Sequence, residues 1–150
     1  MLVVLKAVSA WQLKLKARCS VASDSVHPYT RDQRIVKTDE FSSVFRLRPI
    51  YRTPHFVLYA RQNDLACARL GVVVAKRFAA RAVTRNSVKR VARELFRQSE
   101  LPAVDCIVRL SRPVNTRSDS ATNVLLKRTL REEMSQLFAF MMSAKAFARK

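Results

Sequence analysis

The chain has 150 residues, with 29 Lys plus Arg against 11 Asp plus Glu and a formal charge of +18 at pH 7. A chain of this size buries about 70% of the surface it exposes when unfolded, and 49% apolar residues are enough for one core, which argues for a single domain and against disorder. Gly71 is the only glycine, so neither a dinucleotide fingerprint nor a P-loop can be built, because both need several glycines to bring backbone N–H groups against phosphate.

A charge of this size repels itself, and a polyanionic partner, nucleic acid or an acidic membrane surface, relieves the repulsion. Cys19, Cys67 and Cys106 are odd in number and lack a CxxC pair, with only His27 and His55 to complete a metal set. A disulfide scaffold and a structural zinc are therefore not expected, and a reducing cytosol fits.

Residues 1–30 open with Leu2, Val3, Val4 and Leu5. No Lys or Arg precedes this run and Lys6 interrupts it, so a secretory signal does not fit, and no stretch approaches the about 20 apolar residues of a membrane span. The segment reads as a poorly ordered extension or an over-long start, ahead of a domain over 31–142 and a basic tail over 143–150. A helix is expected over 39–47, with Thr38 as its cap, Asp39 and Glu40 in the first turn, and Phe41, Val44 and Phe45 on one face. Pro49 and Pro54 then bracket a short edge strand near Ile50 to Arg52.

In the run His55 to Arg61, period two turns Phe56, Leu58 and Ala60 one way and His55, Val57, Tyr59 and Arg61 the other, the second set forming a mixed aromatic and basic face. Val72, Val73 and Val74 mark a buried strand over Arg69 to Lys76, and Gly71 and Ala75 leave one of its faces low in relief. A further strand is expected over Val104 to Leu110. A helix over Ala121 to Met142 carries Leu126, Leu130, Met134, Leu137 and Met141 on one stripe, read as core. The pairs Asp39-Glu40 and Glu132-Glu133 read as a helix start and a solvated helix face.

Residues 75–97 hold eight Lys or Arg against one acid, Glu94. Wound as a helix from Arg85, they place Val88, Val91, Ala92, Leu95 and Phe96 on one arc. Arg85, Asn86, Lys89, Arg90, Arg93 and Arg97 fall on another, with Ser87 and Glu94 at the margin. Five of these six are cationic with no interspersed acids, so their repulsion stays uncompensated until a polyanion arrives. Arginine also suits forked phosphate contacts.

The segments RIVKTDEFSSVF (34–45), HFVLYAR (55–61), ARLGVVVAKR (68–77), ARAVTRNSVKRVAREL (80–95) and LPAVDCIVRL (101–110) stand in an order and at spacings that resemble the protein subunit of bacterial ribonuclease P. The most specific element is Arg85-Asn86-x-x-Lys89-Arg90-x-x-Arg93-Glu94 after Ala75-Lys76-Arg77. One departure is Ser87, where the family usually carries a further arginine, implying one phosphate contact fewer.

The resemblance implies an α/β domain of the α+β type, ordered αβββαβα, with a four-stranded sheet packed by helices and a left-handed βαβ crossover. It further implies a cytoplasmic protein without catalytic residues or a small-molecule substrate. The partner RNA then performs the hydrolysis that removes the 5′ leader of precursor tRNA, with Mg²⁺ bound mainly by the RNA and substrate. By the same resemblance, Lys76, Arg77, Arg81, Arg85, Asn86, Lys89, Arg90, Arg93 and Arg97 face the catalytic RNA. Phe41, Phe45, Val57, Tyr59 and Arg61 line a cleft for the single-stranded leader. The alternative is a ribosomal or ribosome-assembly protein binding ribosomal RNA with no role in tRNA processing.

Overall fold

Alternation decides the sheet and periodicity the helices that cover it. The computed structural model describes residues 28–143, and the expectations for residues 1–27 and for the tail beyond Ser143 lie outside the described residues. After a 3-10 turn at Arg31–Gln33 come α1 (Thr38–Phe45), β1 (Tyr51–Arg52), β2 (Phe56–Gln62), β3 (Arg69–Val73), α2 (Ala82–Gln98), β4 (Val104–Leu110) and α3 (Val124–Met142). This is the αβββαβα order expected.

The sheet runs β1-β2-β4-β3. β1 and β4 pair antiparallel with β2, whereas β3 pairs parallel with β4, so α2 is the crossover between two parallel neighbours. β4 is therefore central and buried on both faces, with apolar side chains at five of its seven positions and Asp105 and Arg109 as the exceptions. Val104, Cys106, Val108 and Leu110 join Phe56, Leu58 and Ala60 of β2 in a core closed by α2 and α3. Ile107, on the opposite face, packs with Ile35 and Val44 under α1.

The α3 stripe behaves as expected: Leu130, Met134, Leu137 and Met141 are buried and Leu126 partly so. Each such side chain contributes about 1.5–3 kcal/mol through removal from water. Asn123 caps α3, its side chain accepting the Leu126 N–H at 2.6 Å.

Several local expectations change. Thr38 is the first helical residue of α1 and Lys37 holds the cap position, without a capping side-chain hydrogen bond. β3 stops at Val73, because the chain turns at Lys76–Phe78, where the Phe78 and Ala79 amides bond back to the Ala75 carbonyl. α2 begins at Ala82, three residues before Arg85. Glu133 is not part of a solvated face: it is 6% exposed, accepting the His55 backbone N–H at 2.9 Å and pairing with His55 Nδ1. Glu40 likewise does more than start a helix, since it pairs with Arg69.

Candidate nucleic-acid interfaces

The placement of α1 across the sheet depends on an absent side chain and a buried charge. A Cβ on Gly71 would lie 2.7 Å and 2.9 Å from Cε1 and Cζ of Phe41 and 3.3 Å from Cγ1 of Ile107. The low relief expected around Gly71 is thus the seat of the Phe41 ring. At the adjacent corner, Asp105 of β4 is fully buried. Its Oδ1 accepts from Arg69 Nε at 2.8 Å and Asn63 Nδ2 at 2.8 Å, and its Oδ2 from Arg69 Nη2 at 2.7 Å and Arg61 Nη2 at 3.3 Å.

Burial pushes the Asp105 carboxyl up, but the hydrogen bonds from Arg69, Asn63 and Arg61 outweigh it and hold the carboxyl below its ordinary value. The remaining donors reach α1. Arg69 Nη1 bonds Glu40 at 2.9 Å, and Arg61 Nη1 bonds the Ser43 hydroxyl at 3.0 Å. These contacts tie α1 to both β3 and β2.

Pairing across the sheet defines what lies beside α1. Arg52, Val57, Arg109 and Val73 form one cross-strand row, and Tyr59, Ile107 and Gly71 the next on the same face. Phe45 meets the Tyr59 ring edge-on with centroids 5.2 Å apart, and the Arg109 guanidinium lies 5.8 Å from the Phe45 centroid. Of the five residues expected to form the leader cleft, Phe45 and Tyr59 meet as partly exposed aromatics. Phe41 is committed to Gly71, and Val57 is buried at 6% exposure between the arginines of its row. Arg61 is shared with Asp105 and Ser43, its side chain still 41% exposed. Arg52 and Arg109 lie outside the expected set, because only strand register aligns them beside Val57, in the row next to that of Tyr59.

The second surface is α2. Thr84, Val88, Ala92 and Phe96 are buried along its inner stripe. On the outer side, Asn86, Arg90 and Arg93 are exposed and Lys89 is half-buried. No carboxylate among the described residues pairs with Lys89, Arg90 or Arg93. Arg85 is held differently, its Nη1 donating to the carbonyls of Ala79 and Ala80 at 3.0 and 2.8 Å, which secures the turn before the helix.

Arg81 bonds the Arg117 carbonyl at 2.7 Å, Arg77 lies over the Phe78 ring at 4.6 Å, and Lys76 is exposed in the same turn. Arg97 pairs with Glu94 one turn back. Ser87 is half-buried at the margin of the face. Two residues outside the expected set adjoin it: Tyr29 and Arg34 line the same groove as Asn86, Lys89, Arg90 and Arg93. Tyr29 fell within the expected extension, yet its ring packs edge-on against Phe96 at 5.8 Å.

A family model described as Ribonuclease P matches residues 29–133. The chain belongs to the ribonuclease P protein family. It is 52% identical over 115 residues to the ribonuclease P protein component of Ralstonia pickettii (strain 12J), covering 75% of this chain and 81% of that one. To the corresponding component of Azoarcus sp. (strain BH72) it is 56% identical over 92 residues, 60% and 77% of the two chains.

Among solved structures, the RNase P protein of Thermotoga maritima shares 26% identity at a TM-score of 0.56, covering 73% of this chain and 98% of that one. The RNase P protein of Staphylococcus aureus has the same fold at 24% identity and a TM-score of 0.59, covering 73% and 95%. Family membership makes the chain a protein component of ribonuclease P, a tRNA-processing enzyme in which it partners an RNA subunit. These ribonuclease P relatives lend no support to the ribosomal alternative. No helix among the described residues is long and apolar enough to cross a membrane.

Proposed function

We propose that the chain assists the catalytic RNA of ribonuclease P in removing the 5′ leader of precursor tRNA, by neutralising RNA charge along α2 and holding the leader beside α1. The observation that carries this reading is the α2 face, on which Lys89, Arg90 and Arg93 lack carboxylate partners among the described residues and await phosphate. Phe45 and Tyr59, with Arg109 and Arg52 close by, offer aromatic faces and cations to an unpaired strand. Stacking there adds about 1–3 kcal/mol per base with little sequence preference, as a cofactor serving many precursors requires.

In this reading the RNA performs the phosphodiester hydrolysis and, with the substrate, carries most of the Mg²⁺. Among the described residues no group of three or more His, Cys, Asp or Glu could hold a metal ion. What the protein supplies is electrostatic: it lowers repulsion between two RNAs and so reduces the Mg²⁺ needed to bring them together.

The test is cleavage of a 5′-extended precursor tRNA by a bacterial ribonuclease P RNA at low Mg²⁺, with and without this chain, beside a protein-only control. Stimulation that requires both components is expected. Its absence, with the protein folded and bound to RNA, overturns the reading.

A further inference from the structure

Resting on the RNA-binding reading of α2, we propose that Tyr29 and Arg34, at the two ends of the segment that carries the 3-10 turn, form the second wall of a phosphodiester-binding groove, so that the RNA backbone is gripped between two walls and not laid on an open helix face. The segment is fixed to the outer edge of β3. The Leu70 carbonyl accepts both the Ile35 amide and the Tyr29 hydroxyl, each at 3.2 Å, and Arg34 bridges to Leu70. This covers a sheet edge that would otherwise present unpaired backbone groups, and it brings the segment alongside α2.

The Tyr29 ring rests on Phe96 of the α2 inner stripe at 5.8 Å, and the Arg34 guanidinium stands 5.1 Å from the Tyr29 centroid. An aromatic support of this kind restrains a cationic side chain without neutralising it. Arg34 is exposed, and no carboxylate among the described residues pairs with it.

Between this wall and α2 lies a groove of about 460 Å³. Five cations line it (Arg34, Lys89, Arg90, Arg93 and Arg97) with one carboxylate, Glu94. Glu94 is already engaged, accepting from Arg97 Nη2 at 2.5 Å and Gln98 Nε2 at 2.9 Å. Asn86 adds a neutral hydrogen-bonding group. Forked guanidinium donors on both sides of a polar, open channel match the spaced, non-bridging oxygens of a phosphodiester chain.

The experiment measures the salt dependence of binding for the full chain and for Arg34→Ala, Arg93→Ala and Arg31→Ala. Two probes are used: the ribonuclease P RNA of Ralstonia pickettii and a uridine homopolymer. Arg31 is the control, exposed on the 3-10 turn between Tyr29 and Arg34 but not lining the groove. Thermal melts establish that each variant folds, which an exposed Arg34 permits.

Arg34→Ala is expected to lower the slope of log affinity against log salt by about 0.7–0.9, one phosphate contact, as Arg93→Ala does, while Arg31→Ala leaves it unchanged. If Arg34→Ala matches wild type on both RNAs while Arg93→Ala falls, the second wall is wrong and the α2 reading stands. Equal losses for Arg34→Ala and Arg31→Ala mean diffuse attraction and also overturn the groove. Failure of the wild type to stimulate the catalytic RNA would sink the parent reading instead, and the homopolymer slopes still decide the groove.

Discussion

Arg69 and Asp105 form a two-pronged pair across the parallel β3–β4 junction, Nε to Oδ1 at 2.8 Å and Nη2 to Oδ2 at 2.7 Å, while the third guanidinium nitrogen reaches Glu40 on α1. One arginine therefore sets the distance between sheet and helix at the corner of the aromatic face. Asp105→Ala leaves Arg69 only partly compensated in a half-buried position and is expected to cost about 3–5 kcal/mol, the range for breaking a buried pair by removing one partner. Urea denaturation measures it. A loss below about 1 kcal/mol would place the anchoring of α1 in its apolar contacts alone.

Acid should weaken the fold through the same residue. The Asp105 and Glu133 carboxyls are both held below their ordinary values; burial works against this, but hydrogen bonds from Arg69 and Asn63 in one case and from His55 and Thr53 in the other outweigh it. A carboxyl whose folded pKa is depressed contributes stability above its unfolded pKa and loses it as pH falls through the folded value. Stability is thus expected to hold down to about pH 4–4.5, near the unfolded carboxyl values, and to decline below. Asp105→Asn should flatten that decline in melts taken from pH 5 to pH 2, and an unchanged acid limb would contradict the linkage.

Gly71→Ala tests the seat of α1. The added methyl would meet the Phe41 ring at 2.7 Å, and overpacking of this kind costs about 1–3 kcal/mol. Adding Phe41→Leu to Gly71→Ala should recover part of the loss. A neutral Gly71→Ala would show that the ring moves aside freely and that the close approach does not hold the helix.

For the leader, Phe45→Ala and Tyr59→Ala should each weaken binding of the holoenzyme to precursor tRNA by about 1–3 kcal/mol if a base stacks there, with mature tRNA, which lacks the leader, unaffected. Equal weakening for both tRNAs would point to a structural defect in the edge-on pair.

Arg85 and Arg93 should behave differently although both lie on the outer arc of α2. Arg85→Ala removes two hydrogen bonds to the Ala79 and Ala80 carbonyls and should lower thermal stability as well as RNA affinity and its salt slope. Arg93 is exposed and has no carboxylate partner among the described residues, so Arg93→Ala should lower affinity and slope while leaving the melting temperature in place. Identical melts for the two variants would deny Arg85 its part in securing the turn.

Local pattern was sufficient for much of this protein. Period two in Phe56–Gln62, the stripe from Leu126 to Met141 and the separation of Val88, Ala92 and Phe96 from Arg90 and Arg93 were legible because each depends on neighbours within one element. The resemblance to ribonuclease P was legible for a different reason, because it rests on the order and spacing of segments along the chain and not on how they pack. Tertiary structure decided what depends on register and on distant partners. It turned Glu133 from a surface acid into the partner of His55, and it withdrew Arg61 and Phe41 from an open cleft by giving them Asp105 and Gly71. It also aligned Arg52 and Arg109 beside Val57 and brought Tyr29 and Arg34 against α2. A charge pattern records how many cations a helix carries, but whether each is free or already engaged depends on carbonyls and carboxylates that only the folded chain brings within hydrogen-bonding reach.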